Sequence, residues 1–170
     1  PLECHDARKV PDGVIGATLL AQSVGEADVP VMIDVGGPGC AVFDHARLLA
    51  LHAVSANGAA GSKARPKGIR GAGFANKRAE WHWRLREALD PVRGDALALP
   101  RDPQLLGDLC APRWKMTLRG IQVELKEEIK ARLGRSPDRG EAVMYACADV
   151  TGAPYELLFD ETAPAARQSV

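Results

Sequence analysis

Three acidic residues in this chain stand where carboxylates do chemistry. Asp34 closes the apolar run Val29-Pro30-Val31-Met32-Ile33 and is followed at once by Val35-Gly36-Gly37-Pro38-Gly39. An uncharged, β-branched run reads as a buried strand, so the chain delivers a carboxylate to the strand's C-terminal end and then turns. Open α/β sheets place their chemistry at that end. The other acids are Asp138 and Glu141, far down the chain in Ser136-Pro137-Asp138-Arg139-Gly140-Glu141. If the two sites converge, they can hold two divalent ions about 3.5–4 Å apart, one activating water and one stabilising a leaving oxygen, as in phosphodiester hydrolysis. Each site also has a plainer reading. Asp34 can cap its Gly-rich turn, and acids in the first turn of a helix are favoured by its dipole without any function. The following Ala142-Val143-Met144-Tyr145-Ala146 is apolar enough to be buried, which lets an acid before it point into a cleft rather than into bulk water. Asp44 reads as solvated surface.

A basic segment is the second chemical signal. The chain carries 22 Lys plus Arg and 22 Asp plus Glu, so net charge alone names neither nucleic acid nor membrane as a partner. Their distribution says more, because no acid falls between Asp44 and Glu80 while Arg47, Lys63, Arg65, Lys67, Arg70, Lys77 and Arg78 all do. Residues 57–73, rich in Gly, Ala, Lys and Arg, predict a mobile loop that orders on an anionic ligand. Lys63, Arg65, Lys67 and Arg70, with Lys77 and Arg78 behind them, are the expected phosphate contacts. The alternative is a merely solubilising loop. There is no Gly-Lys-Ser/Thr phosphate loop. Trp81-His82-Trp83 reads as core rather than as a stacking platform, and nothing in sequence supports a Ser/His/Asp arrangement around His82.

The elements that must position these residues follow from periodicity and punctuation. Helices are expected over 14–24, 41–52, 76–89, 103–109 and 124–133, the last stopped by Gly134. Trp81, Leu85 and Leu89 share one face of the third helix, with Trp83 elsewhere. Strands are expected over 29–33, 54–56 and 96–99, with a hairpin or bent strand over 114–123 around Arg119-Gly120. Ser136 is the expected N-cap of a last helix reaching about residue 149, with Pro137 at its first position. Residues 1–150 read as one domain and 151–170 as an exposed tail. The hydrophobic content, 46%, is enough for a core. The cysteines at 4, 40, 110 and 147 show no zinc-type spacing and are expected as free thiols in a reducing cytosol. No apolar run is long enough to span a membrane and no signal-peptide pattern occurs. Pro1-Leu2-Glu3-Cys4-His5 reads as the start of a fragment.

Several segments together resemble a known family. Val31-Met32-Ile33-Asp34 with its Gly-rich turn, Ser55-Ala56-Asn57, Phe74-Ala75-Asn76-Lys77-Arg78-Ala79-Glu80-Trp81, Leu97-Ala98-Leu99-Pro100 and Leu133-Gly134-Arg135-Ser136-Pro137-Asp138 are similar, in order and spacing, to the nuclease domain of tailed-bacteriophage terminase large subunits. The resemblance covers roughly residues 30–150. It implies an RNase H-like mixed central sheet flanked by helices, here without its first strand and that strand's catalytic Asp. It further implies a Mg²⁺- or Mn²⁺-dependent endonuclease, with two ions bound, that cuts concatemeric double-stranded DNA during genome packaging in the bacterial host cytoplasm. Asp34, Asp138 and Glu141 are then the catalytic metal ligands, Asp138 and Glu141 jointly because either can be the last acid. The implied partners are the ATPase motor domain, the small terminase subunit and the portal, with no membrane. The chain is then either an excised domain or a degenerate prophage copy, and the alternative is a catalytically inactive DNA-binding or docking fragment of the same protein.

Overall fold

The structure, a computed structural model, describes residues 10–92, 94 and 97–148. The expected tail at 151–170 and the suspected fragment start lie outside the described residues.

Helix α1 (Gly13–Val24) opens at Asp12, whose carboxylate accepts the Ile15 N–H at 2.9 Å. Strand β1 (Val31–Asp34) follows, then helix α2 (Gly39–Leu48) and strand β2 (Ala53–Ala56). β1 and β2 pair in parallel, Val31 opposite Ala53 and Asp34 opposite Ala56, so α2 is the crossover of a βαβ unit. Ala17, Ala46 and Ile33 are buried together where α1 and α2 meet the pair, and the two alanines allow the close approach. Periodicity predicts that this helix continues to residue 52. It stops at Leu48 because the chain must turn back through Ala50, which adopts a left-handed φ of 55°, to reach β2.

Helix α3 (Lys77–Ala88) is capped by Asn76, which accepts the Ala79 N–H at 2.9 Å. It is buried on two sides rather than on one. Trp81 and Leu85 pack with Met144, Cys147 and Ala56, while Ala79 and Trp83 pack with Phe74, Ile121 and Val123. Leu97-Ala98-Leu99, expected as part of a strand, pairs with no strand among the described residues, and Leu97 instead packs on the Trp81 cluster.

Helix α4 (Pro103–Cys110) starts where Asp102 accepts the Gln104 N–H at 2.8 Å. Strands β3 (Trp114–Thr117) and β4 (Gly120–Val123) form the expected hairpin, turning at Leu118-Arg119. Phe74 bridges Ile121 on the other side of β4. Helix α5 (Lys126–Leu133) ends at Gly134 as expected, and α6 (Asp138–Ala146) closes the described chain. Ser136 is not the cap of α6. The buried carboxylate of Asp108, from α4, accepts the N–H groups of Arg139 (3.1 Å) and Gly140 (3.2 Å) in its place.

The described residues are therefore mixed α/β, six helices with two two-stranded sheets. No helix among them is long and apolar enough to cross a membrane. Cys40, Cys110 and Cys147 are free thiols.

Candidate functional site

Asp34 ends β1 as expected, and the turn after it is built around its carboxylate. Asp34 Oδ1 accepts the Gly36 N–H at 2.8 Å, so the capping role open to a turn aspartate is fulfilled. The chain then doubles back so tightly that a Cβ on Gly39 would collide with the Asp34 carbonyl oxygen. Only glycine lets α2 start there. Cys40 Sγ donates to the Val35 carbonyl at 3.0 Å and closes the same turn.

Helix α6 brings the second group of acids to this end of β1. Tyr145, on α6, lies within the electrostatic reach of both Asp34 and Glu141. Burial and those two negative charges push the Tyr145 hydroxyl well above its ordinary pKa, so it stays protonated. Sequence reasoning places Tyr145 only in a buried apolar run. Its link to Asp34 arises from α6 packing on β1, which no local pattern encodes.

Glu141 is buried, 5% exposed, and two cations hold it. Arg78 Nη2 lies 3.2 Å from Oε1, and Lys126 Nζ lies 2.6 Å from Oε2. Lys126 also reaches Asp138 Oδ1 at 3.2 Å, where the Ser136 hydroxyl donates at 2.5 Å. Partial burial pushes the Lys126 amine down, but Glu141 and Asp138 outweigh it and hold the amine above its ordinary pKa. Burial likewise raises Asp138, and the Ser136 hydroxyl with Lys126 outweighs it, keeping this carboxyl below the usual range. Glu141, Arg78, Lys126 and Asp138 thus form one connected network, in which two carboxylates face two cations, and Tyr145 lies between this network and Asp34 electrostatically.

Among the described residues, no group of three or more His, Cys, Asp or Glu side chains stands arranged to hold a metal ion. Of the expected acids, Asp138 and Glu141 share Lys126, while Asp34 and Glu141 both act on Tyr145.

The basic residues divide. Arg78 turns inward, donating to the Glu124 carbonyl at 2.6 Å as well as pairing with Glu141, and Lys77 pairs with Glu80 at 3.1 Å. Arg65 donates to the Ala72 carbonyl at 3.3 Å. Lys63, Lys67 and Arg70 are exposed. The segment 57–73, expected to be mobile, carries anchors along its length. The Lys77 and Arg78 N–H groups bond to the carbonyls of Ala60 (2.8 Å) and Gly58 (3.0 Å), so the segment caps the start of α3. Ser62 donates to Glu80 at 2.7 Å, and the Lys67 N–H donates to Glu87 at 3.1 Å. Ala64 and Ile69 pack on the Phe74–Trp83 cluster. The acids that bind the segment come from α3, just beyond the acid-free stretch.

No protein-family model matches the chain, and no match to it was found among curated proteins or among solved structures.

Proposed function

We propose that the chain is the RNase H-like nuclease portion of a phage terminase large subunit, a divalent-metal-dependent endonuclease acting on concatemeric double-stranded DNA in the host cytoplasm. In that setting it works beside the ATPase motor domain, the small subunit and the portal. The observation that supports the reading is that Asp34, at the carboxyl end of a parallel strand, and Glu141 of α6 both lie within electrostatic reach of Tyr145. Acids from distant segments collected at a strand end are what a metal-assisted phosphodiesterase needs. Asp34 and Glu141, with Asp138 beside them, are the residues that would hold Mg²⁺ or Mn²⁺, which would activate water and stabilise the leaving oxygen. A two-ion cluster does not fit the donors as they stand. Glu141 is taken by Arg78 and Lys126, and one Asp34 oxygen by the Gly36 N–H. The exposed Lys63, Lys67 and Arg70 remain for the phosphate backbone, with Arg65 and Lys77 beside them.

A second reading, a catalytically inactive DNA-binding or docking fragment, is favoured by one observation. Two protein cations already neutralise Glu141, which is what a metal ion would otherwise do. Plasmid cleavage separates the two. The endonuclease should cut with Mn²⁺ or Mg²⁺, stop in chelator, and stop in Asp34→Asn, which keeps shape and loses charge. Cutting that persists in chelator or in Asp34→Asn would sink the metal mechanism. DNA binding with no cutting and no Mn²⁺ binding would establish the inactive fragment. Replacing Lys63, Arg65, Lys67 and Arg70 together by Ala should lower the log–log salt slope of duplex binding by about 0.9 for each phosphate that the variant no longer neutralises.

A further inference from the structure

The hairpin leaves one edge of its sheet open, and that edge is apolar. In an antiparallel pair, residues alternate between those that bond across the ladder and those whose N–H and C=O point away from it. The Glu124 N–H donates to the Arg113 carbonyl at 2.8 Å, so Arg113 faces β4 and the next residues alternate from it. Trp114 and Met116, opposite Val123 and Ile121, are therefore the pairs whose backbone groups turn outward. On the β4 side the outward groups are used. The Ile121 N–H donates to the Gly73 carbonyl at 2.8 Å, and its carbonyl accepts the Ala75 N–H at 2.9 Å. On the β3 side no described residue receives those of Trp114 and Met116.

The side chains along this edge are equally unfinished. Trp114 rests edge-on against Trp83, with centroids 5.0 Å apart, yet is 50% exposed, and Met116 is 52% exposed. Lys115 alternates with them, and Arg113 and Arg119 flank the strand. An added strand would satisfy the backbone groups, cover the apolar row, and meet the basic row with acids. The sequence contains one segment of that composition. Tyr155, Leu157 and Phe159 recur at every second position, Glu156 and Leu158 fall between them, and Asp160 and Glu161 follow.

We propose that the free edge of β3 is a strand-addition site whose occupant is the segment 155–160 of this chain, with Tyr155, Leu157 and Phe159 against Trp114 and Met116. This surface stands apart from Asp34 and does not depend on the nuclease reading. Amide hydrogen exchange on the full chain tests it. The Trp114 and Met116 amides should exchange about two- to tenfold more slowly than in the variant carrying Tyr155→Arg, Leu157→Arg and Phe159→Arg, the protection of one net hydrogen bond each. The Ile121 amide, bonded to Gly73, should not change and reports that the hairpin still folds. Met116→Pro removes an outward N–H without touching the β3–β4 ladder, and should speed the Trp114 amide alone. Equal exchange of both amides in wild type and triple variant would overturn the proposal. So would a DNA duplex that protects them equally in both, which would make the edge a nucleic-acid surface.

Discussion

Lys126 lies between two of the carboxylates put forward as metal ligands, 2.6 Å from Glu141 and 3.2 Å from Asp138. A divalent ion and an ammonium compete for the same oxygens, so removing the ammonium should favour the ion. Lys126→Ala should bind Mn²⁺ more tightly than wild type by roughly tenfold, a modest figure because the lysine is partly solvent-screened. Calorimetric titration measures it, and unchanged or weaker affinity would make Lys126 a structural partner of Glu141 and nothing more. Asp34 is legible in the sequence because a strand end, a charge and a Gly-rich turn are all local signals. The Arg78–Glu141 ion pair and the approach of Tyr145 to Asp34 are not. Each joins residues brought together only when α6 packs against α3 and β1, and no spacing rule reaches that far.

Among the elements, α4 and α6 show which signals are local and which are not. The start of α4 is readable because Asp102-Pro103 is a complete N-terminal signature within two residues. Ser136-Pro137 looks like another, yet the Ser136 hydroxyl is committed to Asp138, and Asp108 of α4 caps α6 from a distance. Asp108 is fully buried and also pairs with Arg135. Removing it leaves two helix N–H groups without their acceptor and the Arg135 guanidinium with only the Ser136 and Gln104 carbonyls. Asp108→Ala should therefore cost about 2–3 kcal/mol, more than an exposed cap and less than a fully buried pair because Arg135 can rehydrate. Urea unfolding should show a lower midpoint at unchanged slope. Asp108→Asn, which keeps an acceptor for the helix but loses the charge, should fall between. A midpoint that does not move in Asp108→Ala would mean that water caps α6 as well as the carboxylate does.

The whole molecule is organised around α3, whose two faces serve two apolar clusters and whose acids tie down the segment 57–73. That arrangement explains why the segment looks unanchored in sequence: its polar partners, Glu80 and Glu87, belong to the element after it. It also isolates one titratable group. His82 lies between Trp81 and Trp83 on α3, and its Nε2 is buried with no hydrogen-bond partner among the described residues. Burial, and secondarily the charge of Arg78, depress its pKa from 6.5 to about 3. The unfolded chain therefore takes up a proton near pH 6.5 that the folded chain refuses until about pH 3. Across that window the unfolded state binds more protons, so stability falls on acidification, by up to about 1.4 kcal/mol per pH unit from this group. Glu80 behaves differently. Burial raises its pKa, but the Ser62 bond, Lys77 and Arg84 outweigh it, so its contribution is present above its ordinary value of 4.5 and lost only as pH falls below that. Asp138, also depressed on balance, acts below its ordinary 3.8. Between about pH 6.5 and 4.5 the difference between wild type and His82→Gln is therefore a measure of His82 itself. Urea midpoints across that range should fall with acidification in wild type and fall less steeply in His82→Gln. Parallel profiles would mean that His82 is protonated in the folded protein and that α3 admits water beside it.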